Sequence, residues 1–221
     1  MAGKKGVTGR KKDPERTAHT RETILNAAYA LFTKKNIESV SMQEIADAAG
    51  CGVATAYRYF GTKPELVVAV AGRKWREVLD AVPADEQPNE GDGRTAAQAY
   101  ARFLDSFLEL YRRDKDILRF NQFFNLYIRS ARLNAATLAP YSLTAGVLQE
   151  RFGRIYAKAL RDGTLRTDVP EDEMFSATLH LMLAAVTRYA VGLVYLPEGE
   201  PGAERELLTL KHALLLEYGA H

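Results

Sequence analysis

With 221 residues, 47% of them hydrophobic, the chain is long enough to bury one generous core, or a small module joined to a larger one. A formal net charge of +2 says nothing about partners by itself, so the placement of charge matters more than its sum. The single cysteine, Cys51, excludes an internal disulfide and a thiol cluster for a structural metal.

Lys4, Lys5, Arg10, Lys11 and Lys12 precede the first acidic residue, and Gly3, Gly6 and Gly9 are spaced among them. Residues 1–19 therefore read as a flexible basic arm. The start has neither the apolar run nor the small-residue cleavage site of a secretory signal, which predicts a cytoplasmic protein.

Helical periodicity recurs almost everywhere, and no segment has the period-two alternation of a strand, so the fold class is all-α. The first helix is predicted from an N-cap at Thr20, with Ile24, Ala27, Ala28, Leu31 and Phe32 on one apolar stripe, to about Asn36. Asn36, at its end, is a residue that can adopt a left-handed turn conformation as glycine does. Ser41 and Glu44 form a capping-box pattern that starts a short helix ending at Gly50. After Gly50-Cys51-Gly52, a third short helix runs from Val53 to about Tyr59. A second capping pattern, Thr62 with Glu65, opens a longer helix with Pro64 in its first turn.

Residues 82–94 carry Pro83, Pro88, Gly91 and Gly93 and read as a loop. Tyr100, Phe103, Leu104, Phe107, Leu108 and Tyr111 then fall at helical spacing, and further helices are predicted at about 117–132, 142–161, 170–196 and 203–218. Residues 178–196 are apolar enough to raise a membrane span, but His180 and Arg188 lie inside, and an arginine at a helix centre costs about 2.5–3.5 kcal/mol there. A buried helix is the expectation, with no membrane partner. The predicted architecture is a three-helix helix-turn-helix domain at 20–66 and a larger helical effector-binding and dimerisation domain at 67–221, about nine helices in all.

The chemistry concentrates between Ser41 and Lys63. A helix-turn-helix places its second helix in the major groove while the first braces it across the backbone. Thr55, Tyr57 and Tyr59 offer hydroxyls to phosphates, Val53, Ala54 and Ala56 are slim enough for close approach to the groove, and Arg58 supplies a charge able to pair bidentately with guanine. Lys63 adds a charge at the start of the following helix, where free amides also favour phosphate. Tyr57 and Phe60 read equally as core aromatics on spacing alone.

Taken together, Arg21-x-x-Ile24-Leu25-x-Ala27-Ala28-x-x-Leu31-Phe32, Ile45-Ala46-x-x-Ala49-Gly50 and Thr55-x-Tyr57-x-Tyr59-Phe60-x-Thr62-Lys63-x-x-Leu66 resemble the TetR family of bacterial transcriptional regulators. The resemblance covers the first third of the chain. It implies phosphate contacts from Ser41, Thr55, Tyr57, Tyr59 and Lys63, a groove-facing side with Val53, Ala54 and Arg58, and a base contact from Gln43. Cys51 and Gly52 depart from the family pattern, which commonly has a small aliphatic residue and a serine cap there.

Phe120, Phe123, Phe124 and Tyr127 alternate with Asn121, Gln122 and Asn125, a composition that suits a pocket or a packed core equally. The expected effector pocket comprises Phe103, Phe107, Tyr111, Phe120, Phe124, Asn125, Tyr127 and Tyr156. The apolar circumference of 170–196 and the stripe Leu207, Leu214, Leu215 and Tyr218 predict a homodimer built from the last two helices. The resulting expectation is a homodimeric repressor on palindromic double-stranded DNA, released by a small-molecule effector, with no cofactor and no metal. A DNA-binding scaffold without effector is the alternative. A helical enzyme has less to recommend it: His19, His180, His212 and His221 are scattered, and no H-E-x-x-H or nucleophile-elbow pattern is present.

Overall fold

A computed structural model describes residues 14–82, 93–192 and 201–220. Nine α-helices occur among them: α1 (Pro14–Phe32), α2 (Met42–Ala48), α3 (Val53–Phe60), α4 (Lys63–Asp80), α5 (Ala96–Arg113), α6 (Lys115–Ala131), α7 (Ala135–Asp162), α8 (Glu171–Val191) and α9 (Pro201–Tyr218), with a 3₁₀ turn at Ile37–Ser39. The only extended pairing among these residues is an isolated bridge between Leu165 and Gly219.

Local signals placed most helix ends. Ser41 and Glu44 form the complete capping box, with the Glu44 amide donating to Ser41 Oγ at 3.1 Å and the Ser41 amide to Glu44 Oε2 at 2.8 Å. Thr62 caps α4 by accepting from the Glu65 amide at 3.3 Å. The Thr62 amide turns to the Phe60 carbonyl, so the reciprocal half of that box does not form.

Three boundaries differ from expectation. Thr20 does not cap α1; the helix already runs from Pro14, and the Thr20 hydroxyl donates back to the Arg16 carbonyl at 2.9 Å inside it. Residues 14–19, read as part of the arm, are therefore helical, and residues 1–13 lie outside the described part. Asn36 is not left-handed: at φ −55°, ψ 132° its side chain accepts from the Glu38 amide and caps the 3₁₀ turn. α7 begins at Ala135 rather than near Ser142, because Asn134 caps it by accepting from the Thr137 amide at 2.8 Å.

The hydrophobic core runs without a break from the first three helices into the rest. Phe120 of α6 stacks on Phe32 of α1 at 6.4 Å between ring centres and meets Tyr29 edge-on at 5.6 Å. Arg73 of α4 reaches Glu22 and, at 2.7 Å, Asn26 of α1. Deeper in, Tyr100 of α5 shares a buried 2.8 Å hydrogen bond with Thr178 of α8. The residue pair 66/67 is therefore no break in packing; α4 belongs to both halves.

One described helix, α8, is long and apolar enough to cross a membrane by length and composition. It lays Met174, Phe175, Thr178, Met182 and Val186 into the core and turns His180 and Arg188 to the surface.

Candidate nucleic-acid interface

The unit of α2, turn and α3 is assembled by backbone geometry before any long side chain enters. Gly50 sits at φ +65°, a conformation that costs an L side chain about 1–2 kcal/mol, and lets the Cys51 amide return to the Ala46 carbonyl at 2.9 Å. Gly52, extended at φ −73°, ψ 146°, then starts α3 with its carbonyl but has no side chain to cap it. Cys51 is a half-buried packing residue of this turn.

α3 is amphipathic with its faces cleanly separated. Ala56 and Phe60, four apart, are buried on the core side, whereas Ala54, Tyr57 and Arg58, at i, i+3 and i+4, share the exposed face. Tyr57 is 47% exposed although it is a large aromatic. Core packing therefore explains Phe60 and not Tyr57. Val53, Thr55 and Tyr59 lie half-buried at the flanks, and the Arg58 guanidinium folds over the Tyr59 ring at 5.6 Å.

Two other sequence-predicted residues are already engaged. Gln43, exposed on α2, donates its amide to Asp47 at 2.7 Å. Lys63 donates to the Glu38 carbonyl at 3.1 Å and lies 5.8 Å from the Tyr127 ring; burial lowers its pKa, opposed by Glu38 and Glu44. Ser41 is exposed, and its oxygen accepts the capping amide while its hydroxyl proton stays available to a phosphate. Arg21, which the spacing argument left without a role, is exposed and holds its guanidinium 5.1 Å from the Phe60 ring, at the C-terminal end of α3.

The sequence profile described as bacterial regulatory proteins, tetR family, matches residues 24–70, the segment just built. Over this segment the chain is similar to the tetR family of bacterial regulatory proteins. An HTH-type transcriptional regulator of Mycobacterium tuberculosis, MT1294, is 41% identical over 78 residues, which is 35% of this chain and 36% of that protein. The chain thus matches only about a third of that relative's length. The HTH-type transcriptional repressor SCO4008 of Streptomyces coelicolor is 28% identical over 180 residues, 81% of each chain. A transcriptional regulator from Saccharomonospora viridis, solved in complex with choline, superposes with a TM-score of 0.69 at 16% identity, over 92% of this chain and all of that one, and shares its fold.

Beyond the tetR-family segment, the structure holds a cavity of about 280 Å³ between α4, α5 and α7. Its apolar wall includes Trp75, Leu79, Phe103, Phe107, Leu110 and Leu148. Of the eight residues expected to form a pocket, Phe103 and Phe107 line it. The other six do not. Phe120 and Phe124 pack on each other at 5.7 Å in the core that joins α6 to α1, and Phe124 meets Tyr141. Tyr127 lies by Lys63, and Tyr156 donates to the Val169 carbonyl at 2.7 Å. Asn125 points to the surface, and Tyr111 is buried beneath the Lys115 ammonium. Sequence spacing missed Trp75, Leu79 and Arg151 because the cavity lies between α4 and α7, helices whose mutual packing is not visible in either one alone.

Proposed function

We propose that this protein is a homodimeric transcriptional regulator, a repressor, that reads a palindromic operator with α3 and releases it when a small molecule occupies the cavity between α4, α5 and α7. The observation that carries the reading is the exposed face of α3, where Ala54, Tyr57 and Arg58 stand opposite the buried Ala56 and Phe60. A slim helix with a phenol and a guanidinium on its outer face suits a major groove, with Ser41, Thr55, Tyr59 and Lys63 toward phosphates and Val53 and Gln43 beside the base edges.

Dimerisation is supported by the outer faces of the last two helices. Leu181 and Val191 of α8, with Leu208 and Leu216 of α9, are large apolar side chains left about half exposed. A two-fold pairing through these faces buries them and sets two α3 helices about 34 Å apart, one turn of DNA. Effector control is supported by α4, which lines the cavity with Trp75 and Leu79 and begins three residues after α3 ends. A coupling of about 1–3 kcal/mol between the two sites suffices for such a switch.

The test is selection of duplex DNA from a random pool by the full chain, followed by anisotropy titration of the enriched sequence. A two-fold symmetric site whose binding weakens steeply with salt is expected, since phosphate contacts release counterions. Failure to enrich any palindrome overturns the reading. A DNA scaffold without effector would bind that site and release it for no ligand of the cavity.

A further inference from the structure

The cavity has one feature that packing does not explain. Arg151 of α7 lies in its wall with the side chain nine-tenths buried, and Nη2 donates to the Leu79 carbonyl at 2.9 Å. No carboxylate among the described residues comes within 4.0 Å of the guanidinium. Asp80 and Glu150 favour its charge from further away, but Glu150 is held by Arg154 at 3.0 Å, and Arg154 itself repels Arg151. A guanidinium buried to this extent with a single neutral acceptor leaves most of its five N–H donors without a partner among the described residues, on the wall of the cavity.

The rest of the lining has the same bias. Its carboxylates are mostly committed: Glu77 is taken by Lys74 at 2.7 Å and Arg73 at 3.4 Å, and Asp114 accepts from the Ile117 amide at 3.1 Å. Arg102 and Arg113 add positive charge to the same wall, against Glu109. Phe103, Phe107, Leu110 and Leu148 supply apolar surface in the same cavity. At about 30 Å³ per water, 280 Å³ is room for roughly nine waters, or for a small amphipathic molecule.

The geometry points to an apolar carboxylate as the effector: a hydrocarbon or aryl body against Phe103, Phe107 and Leu110, and an anionic head on Arg151. This assignment rests on the effector reading above and names its ligand class. A carboxylate placed there gives Arg151 the charge-assisted partner that the protein lacks. It also competes for a guanidinium that now holds the C-terminal end of α4, since Leu79 is the penultimate residue of that helix.

Trp75 is the only tryptophan in the chain and lines this cavity, so its emission reports occupancy without a label. The full-length protein is titrated with octanoate, octanol and octylammonium, which share a body and differ in head, and operator release is followed by anisotropy in parallel. Octanoate is expected to bind about tenfold tighter than octanol, with octylammonium weakest. In Arg151→Met the advantage of octanoate over octanol falls to about threefold or less, and Arg151→Lys retains part of it. Octanol or octylammonium binding as tightly as octanoate overturns the assignment, as does an unchanged preference in a folded Arg151→Met. Release of the operator by octanol or octylammonium in that case leaves the effector reading standing. No saturable emission change and no release with any of the three counts against both. Should Arg151→Met fail to fold, the ranking on the unaltered protein decides alone.

Discussion

The ammonium of Lys63 donates to the Glu38 carbonyl at 3.1 Å, joining the first residue of α4 to the turn that precedes α2. Tyr127 of α6 lies beside it, and Ser130 of α6 hydrogen-bonds the Glu38 side chain. The residue that the motif assigns to a phosphate is thus also a strut between the N-terminal helices and α6.

Lys63→Met is expected to act twice. Losing the hydrogen bond costs about 0.5–1.5 kcal/mol in urea unfolding. Losing one phosphate contact reduces the slope of log affinity against log salt by about one. A stability loss with an unchanged salt slope would make Lys63 a strut alone.

Tyr57 and Arg58 present the opposite case, side chains on the exposed face of α3 that the core does not need. Tyr57→Ala and Arg58→Ala should each change unfolding free energy by less than about 0.5 kcal/mol. Each should weaken binding to the selected operator by about 1–3 kcal/mol, measured by anisotropy at one fixed salt concentration. Unaltered affinity in both variants would remove α3 as the reader.

Two glycines separated by one residue should respond in opposite directions. Gly50→Ala forces a Cβ into φ +65° and is expected to cost about 1–2 kcal/mol, although nothing crowds the new atom. Gly52→Ser adds a hydroxyl at an extended N-cap with open space around it and should gain a few tenths of a kcal/mol, about what a serine cap is worth over glycine. Thermal melts of the two variants compare them; a destabilised Gly52→Ser would mean the cap geometry is not as described.

Acid should loosen the junction of α5 and α7 through Asp162. Its carboxylate pKa is lowered: burial pushes it up, but hydrogen bonds from the Thr164 and Ala96 amides, at 3.0 and 2.7 Å, outweigh that. A depressed folded value means the stabilisation is present above the ordinary carboxylate pKa of about 3.9 and is lost as pH falls through the lower folded value. Asp162→Asn should therefore melt below the unaltered protein at neutral pH, and the gap between the two should close as pH falls below the ordinary carboxylate range. A gap between the two melts that stays constant with pH would show that the ionised form is not what holds the junction.

Much of the fold was legible in the sequence because helices announce themselves locally. The stripe from Ile24 to Phe32, the pairing of Ser41 with Glu44 and the two glycines around Cys51 each act within a few residues, so order along the chain suffices to read them. The face of α3 was legible only in part: Ala54 and Arg58, expected on the outer side, are exposed, whereas Ala56, read as slim enough for the groove, is buried against the core and Val53 is half-buried. Spacing failed where an apolar face has two possible neighbours. Phe107 and Phe120 sit on equally amphipathic helices, yet one lines a cavity and the other fills the joint with α1, because the partner helix and not the helix itself decides whether space is left. Long polar side chains behaved likewise: Lys63 and Arg151 found carbonyls on Glu38 and Leu79, 25 and 72 residues away, and only the packing of distant helices brings such acceptors within reach.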